Sequence, residues 1–383
     1  MNNDKDFNLN TEDKILLFCA RNRSDPENKL ELEAMIHEDL NWQYLFEIAT
    51  IHKLKPLLYY NLNTIVPNRT SKNFLDDLKI YYKKNARKNL LLTGELIRVT
   101  NSLNSQNINS FTYKGPTLAT LAYKNIALRD FSDIDLVVSL KNVKKSIIVL
   151  KNMGYTSTFP SMLEKGNICL KYHRAHVLSK GNVNIDLQWG LSFIKHENLN
   201  NFETKDLIKI NINKIELLTP NVENQIIILV MHNASHMWHS LSLLCDLDGL
   251  ISMNKVNWNE VKSLATKIGI NRILLINLLL LKNVMGNPVL TEYWGDTLDI
   301  KAEKLASKIE KNFFSPEKFA DSFFKRALLQ FQIRENKIDG LSDLFYLVFN
   351  PTAEDYQRIY IPNSIFKLYY LIRLFNLIKK YLK

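Results

Sequence analysis

The chain has 383 residues, 46% apolar and 23% charged, with a formal net charge of +11. That length allows a sizeable core and two or three domains, and the composition excludes wholesale disorder. The positive balance admits anionic partners, namely nucleotides, nucleic acid or an anionic membrane surface. It is discounted because Lys rises together with Asn and Ile, as in AT-biased coding.

The segment from Met1 to Lys14 is polar and charged and does not read as a signal peptide. Residues 1–105 read as an N-terminal helical region. Trp42, Leu45, Phe46 and Ala49 recur at helical spacing, and Leu54–Leu62 forms a second apolar stretch interrupted by Pro56. Pro67-Asn68 with Ser71 marks a turn. The pattern then predicts a long amphipathic helix from Phe74 to about Leu103, whose outer face carries Lys79, Lys83, Lys84, Arg87 and Lys88. Such a face reads first as solvated helix surface and second as a contact for a phosphate-rich partner.

Residues 106–220 change character and are expected to form the core. Asn109–Lys114 reads as a strand ending at Gly115-Pro116, with a helix from Thr117 to Tyr123. Ile134–Val138 is a near-continuous apolar run, expected to be a central strand. Val143–Met153 is helical and stops at Gly154. Asn182–Trp189 alternates, with Val183, Ile185, Leu187 and Trp189 on one face and Asn184, Asp186 and Gln188 on the other. Residues 221–383 turn helical again, over Val222–Met237, Leu243–Met253, Trp258–Ile268, Arg272–Met285 and Ile365–Leu382. The last segment is expected to dock on its own protein rather than lie on a membrane, so peripheral membrane contact is not the favoured reading. The longest apolar run, near Ile273–Leu281, is too short to span a bilayer. Cys19, Cys169 and Cys245 sit in apolar contexts without CxxC spacing, which suits a reducing cytoplasm.

Chemistry concentrates at Asp133 and Asp135. Positions i and i+2 of a strand share a face, so both carboxylates reach one point in space. Like charges that close repel unless a cation lies between them, and Mg²⁺ (or Mn²⁺) is the usual partner when phosphates are also present. Asp186, on the polar face of a later strand, is the natural third ligand of a two-metal site. Lys114-Gly115 is a turn at which backbone N–H groups can approach a phosphate. Thr117 and Ser132 can add hydroxyl contacts, and Lys114 or Arg129 can offset triphosphate charge. Each piece alone also reads as a solvated acidic strand end or a plain turn. The order strand, Gly turn, helix, Arg, acidic strand and single-acid strand is what favours a metal site. His232 and His236, at i and i+4, read first as polar residues facing the cleft and second as nucleotide contacts.

That order resembles the nucleotidyltransferase superfamily, and more narrowly a bacterial branch labelled nucleotidyltransferase family 5. The resemblance rests on Lys114-Gly115, Arg129, Ser132-Asp133-Ile134-Asp135-Leu136, Asp186-Leu187-Gln188-Trp189, and His232 with His236-Met237-Trp238 and Asp246. It extends upstream to Asn41-Trp42 and His52. Two departures stand out: Gln188 replaces the usual His, and Pro116 removes one N–H from the phosphate turn. The resemblance implies an α+β fold, with a mixed β-sheet core at 106–220 between helical regions at 1–105 and 221–383. It implies Mg²⁺-dependent transfer of a nucleoside monophosphate, AMP foremost, from an NTP to an acceptor hydroxyl or phosphate. The acceptor is a small molecule or peptide, or alternatively tRNA or another nucleic acid. A non-catalytic nucleotide-binding module and a kinase-like phosphotransferase are the rival readings.

Overall fold

The computed structural model describes residues 9–21, 26–160, 166, 170, 172–190, 206–293, 299–314 and 323–381. Five helices come first: α1 (Thr11–Ala20), α2 (Pro26–Met35), α3 (Trp42–Ile51), α4 (Lys55–Ile65) and α5 (Lys72–Asn104). Asn10 caps α1 through a reciprocal hydrogen-bond pair with Asp13, and Asn41 caps α3. On α5, Leu78, Leu92, Leu96, Val99 and Leu103 are buried at helical spacing, while Lys79, Lys83, Lys84 and Arg87 stay exposed. Lys88 leaves that basic face and pairs with Asp130 at 2.7 Å.

A small mixed sheet follows. Its strands are β1 (Ser110–Phe111), β2 (Ile134–Val138), β3 (Thr156–Ser157), β4 (Ala175–Lys180) and β5 (Val183–Gln188), in spatial order β1-β2-β5-β4-β3. Only β2 and β5 pair parallel; the other neighbours are antiparallel. Every residue of β2 is buried, its four apolar residues and Asp135 alike, as befits a central strand. Helices α6 (Gly115–Tyr123) and α7 (Val143–Asn152) interleave with these strands, and β6 (Leu207–Ile212) and β7 (Ile215–Pro220) form a separate hairpin. The helices α8 (Val222–Ser235), α9 (Leu241–Met253), α10 (Trp258–Ile268), α11 (Asn271–Met285), α12 (Val289–Tyr293), α13 (Ile300–Glu310), α14 (Phe323–Gln332), α15 (Lys337–Phe349), α16 (Ala353–Arg358) and α17 (Leu368–Tyr381) complete the chain. One continuous apolar cluster runs from Ile15 to Tyr369. No helix among the described residues is long and apolar enough to cross a membrane.

Several expectations change. The strand read as Asn109–Lys114 shortens to Ser110–Phe111, because Lys114 is already the N-cap of α6 and Gly115 adopts φ +56°. Helix α8 stops at Ser235 rather than Met237, since Met237 and Trp238 turn left-handed at φ +56° and +49°. The β6–β7 hairpin turns on Asn213-Lys214, both at positive φ. That is the backbone of a tight hairpin without its usual Gly, which is why the sequence did not announce it. Helix α17 buries Tyr369 and Leu377 against the protein while Leu371 and Phe375 remain exposed. Cys19 and Cys245 are buried free thiols; Cys169 lies outside the described residues.

Gly249 marks where α9 meets α6. A Cβ there would lie 2.6 Å from the Ala122 carbonyl oxygen, so only Gly permits the approach. Gly94 on α5 has open space around it. Gly249→Ala is expected to cost about 1–3 kcal/mol in urea unfolding, the usual scale of overpacking. Gly94→Ala is expected to gain up to about 1 kcal/mol in the same assay.

Candidate active site

The parallel register of β2 and β5 sets Asp135 directly beside Asp186. Asp133, at the bend before β2, lines the same cleft as Asp135 and Asp186. Asp135 is buried, Asp186 half-buried and Asp133 exposed at the rim. Gln188 ties the inner pair together: its Nε2 donates to Asp135 Oδ1 at 2.8 Å and to Asp186 Oδ2 at 2.9 Å. The Tyr113 hydroxyl donates to Gln188 Oε1 at 3.0 Å, which orients that amide. Lys114 Nζ lies 3.6 Å from Asp135 Oδ1.

The loop that delivers Asp133 is fixed from both sides. Asn85 and Asn89 of α5 donate to the carbonyls of Ala127, Ile126 and Arg129. Asp130, just downstream, accepts from Lys88 and from the Tyr81 hydroxyl. Arg129 is buried, and its Nε donates to both oxygens of Asp246 at 3.0 Å. The Tyr123 hydroxyl donates to Asp246 Oδ1 at 2.9 Å. Arg129, expected from sequence to meet phosphate, is therefore first a clamp between the acidic loop and α9.

These groups line a cleft of about 370 Å³ that includes Lys114, Ser132, the three aspartates, His232 and His236. Gly115 and Thr117 do not line it. Thr117 is fully buried, and its hydroxyl donates to the Lys114 carbonyl at 2.9 Å, so it is turned away from any phosphate. His236 caps α8, and its ring centroid lies 4.3 Å from that of His232. Burial, and next the Lys114 charge, push His232 well below the usual imidazole range and hold His236 at about 4. Both rings are neutral near pH 7. Lys53 also lines the cleft, placed there by φ +57° just past α3, and its charge acts on Asp133. Nothing near Lys53 in sequence signals that role; it is spatial only. His52 is buried and structural: its Nδ1 accepts from Leu241 N, and its carbonyl accepts from Ser240.

A family model described as an uncharacterised nucleotidyltransferase matches residues 38–286. The chain belongs to this family. No curated protein and no solved structure matches it. The matched span holds α3 to α11, and so every cleft residue named above. This nucleotidyltransferase carries a donor set that suits a hard cation, because all three acids offer only oxygen. Asp186 sits at about 6, raised by burial and then by Asp135; burial and then Asp135 also raise Asp133. A divalent cation would relieve that repulsion. Convergence is incomplete, and among the described residues no three His, Cys, Asp or Glu side chains close into a metal cage. The Gln188 amide holds one oxygen of each inner carboxylate, and Lys114 stands beside the same Asp135 oxygen. Trp238, carried in the same motif as the histidines, is a buried anchor whose Nε1 donates to Asn277.

Two outcomes follow from this electrostatic arrangement. Asp246→Asn strands the buried Arg129 charge and is expected to cost about 3 kcal/mol by chemical denaturation. Asp186 is protonated more readily folded than unfolded, so its contribution is full below pH 3.8 and lost as pH rises through about 6. In metal-free buffer, Asp186→Asn is therefore expected to change stability little at pH 4 and to raise it by about 2 kcal/mol at pH 7.5.

Proposed function

We propose that this protein transfers a nucleoside monophosphate from an NTP, ATP foremost, to an acceptor hydroxyl or phosphate, releasing pyrophosphate. The observation that carries the reading is the parallel register of Asp135 and Asp186, with Asp133 at the rim, inside a cleft that also presents Lys114 and Ser132. An α+β nucleotidyltransferase core accounts for that arrangement. Asp133, Asp135 and Asp186 would hold Mg²⁺ or Mn²⁺, with the Gln188 amide already bonded to one oxygen each of Asp135 and Asp186. When bound, such a cation offsets charge on the phosphates and on the leaving group. Lys114 stands beside Asp135 and is placed to pass from that carboxylate to a phosphate oxygen. Asp186, at about 6, is suited to take the acceptor's proton. Gly115, at φ +56°, brings the backbone at the head of α6 close to Asp133, and Pro116 leaves that turn one donor short. The neutral rings of His232 and His236 offer hydrogen bonds to nucleotide or acceptor without adding charge. Cys19 and Cys245, buried and unpaired, suit a cytoplasmic setting.

A nucleic-acid acceptor is the second reading, favoured by the exposed Lys79, Lys83, Lys84 and Arg87 on α5. Steep loss of binding between low and moderate salt would mark that class.

The test uses ATP labelled at the α or at the γ position, incubated with the protein, Mg²⁺ and cell extract. The α label is expected in a product and the γ label in pyrophosphate. Asp135→Asn should lower the rate about a hundredfold or more, the scale of losing one preorganised electrostatic partner. Transfer of the γ label instead would make the protein a kinase, and failure to bind Mg-ATP in calorimetry would make it a non-catalytic module.

A further inference from the structure

A second cavity, of about 410 Å³, lies on the other side of the last turn of α8. His232 and His236 face the nucleotide cleft from that turn, whereas Met231, Ala234 and Ser235 line the second cavity. The two spaces therefore share one helical wall. Arg326 links them further: it lines the second cavity, and its charge acts on His236 in the first.

The walls of this cavity are mainly apolar, with Met231 and Ile333 among them, and its charged groups are few. Arg373 contributes a guanidinium whose Nε is buried and, among the described residues, has no hydrogen-bond partner, while its Nη2 donates a long 3.5 Å bond to the Leu347 carbonyl. A buried donor left unmet costs free energy, and an acceptor supplied by a ligand recovers it. Asp343, the one acid among the described lining residues, accepts from Arg334 Nε at 2.7 Å. His173, which pairs with the Tyr356 hydroxyl at 2.8 Å, is neutral. The cation with an unmet donor toward a ligand is Arg373, set within apolar walls.

We propose that this cavity is the acceptor site, and that it takes a small organic anion with an apolar body and a hydroxyl. The inference rests on the nucleotidyltransferase reading of the neighbouring cleft. The acceptor's carboxylate or phosphate sits at Arg373, and its hydroxyl reaches past the α8 turn. That oxygen bonds to the α-phosphorus, the bond from the α-phosphorus to its bridging oxygen breaks, and pyrophosphate leaves. The hydroxyl proton passes to the Asp186 carboxylate.

The probe is 2-naphthoate, with its neutral isostere 2-naphthamide, titrated calorimetrically with and without saturating Mg-ATP. Naphthoate is expected to bind once per chain, at least tenfold tighter than the amide, and equally well beside Mg-ATP. Arg373→Gln should abolish the preference for the anion. Ala353→Phe, which fills the cavity from a half-buried position, should abolish binding of both probes. Both variants should keep the wild-type affinity for Mg-ATP within twofold, which also shows that they are folded. If Mg-ATP binds but naphthoate is indifferent to both variants, or is displaced by Mg-ATP, this inference falls alone. If the wild-type protein does not bind Mg-ATP, the inference falls together with the reading beneath it.

Discussion

Pairing of β2 with β5 in parallel is the constraint on which the site depends. Parallel neighbours place residues level with one another, so Asp135 and Asp186 stand side by side although 50 residues of chain separate them. Two carboxylates held that close resist ionisation together, and Asp186 is raised first by burial and then by Asp135. The protein offsets the repulsion with what is at hand: an amide from Gln188, an ammonium from Lys114 and a hydroxyl from Tyr113. Those same groups define what a nucleotide and its cation must displace. The site is thus closed by weak, exchangeable partners rather than by a fixed cage.

Around that pair, the helices act as a frame for the loop carrying Asp133. Two buried asparagines on α5 satisfy the loop's carbonyls, which would otherwise be lost donors' targets in a dry interior. Arg129 and Asp246 join the loop to α9, and Gly249 lets α9 lie against α6 closely enough for that bond to form. A buried ion pair of this kind adds little net stability over an apolar contact, but it is costly to break. Its value lies in fixing where Asp133 and Lys114 stand relative to the histidine turn of α8.

Much of this was legible in the residues. The i, i+2 rule gave the shared face of Asp133 and Asp135, the near-continuous apolar run gave the buried strand, and the alternation at 182–189 gave the polar face that carries Asp186. Helix α10 matched its expected bounds, because Asn257 caps it and Gly269 ends it in the left-handed region. Strand β4 was not legible: its His176 is buried and bonded to Ser157. Thr117 was misjudged for a related reason. A hydroxyl one turn into a helix can donate back to the capping carbonyl, and here it does.

By itself, the sequence determined the family, the acidic pair and the periodicity of most helices, because each of these is a local pattern of spacing. Tertiary structure alone decided the rest. It brought Lys53 to the cleft from the end of α3, spent Arg129 on Asp246, set Gln188 between the two acids and divided the last turn of α8 between two cavities. None of these is written in spacing, since each depends on which distant side chain reaches a charge first once the chain is packed.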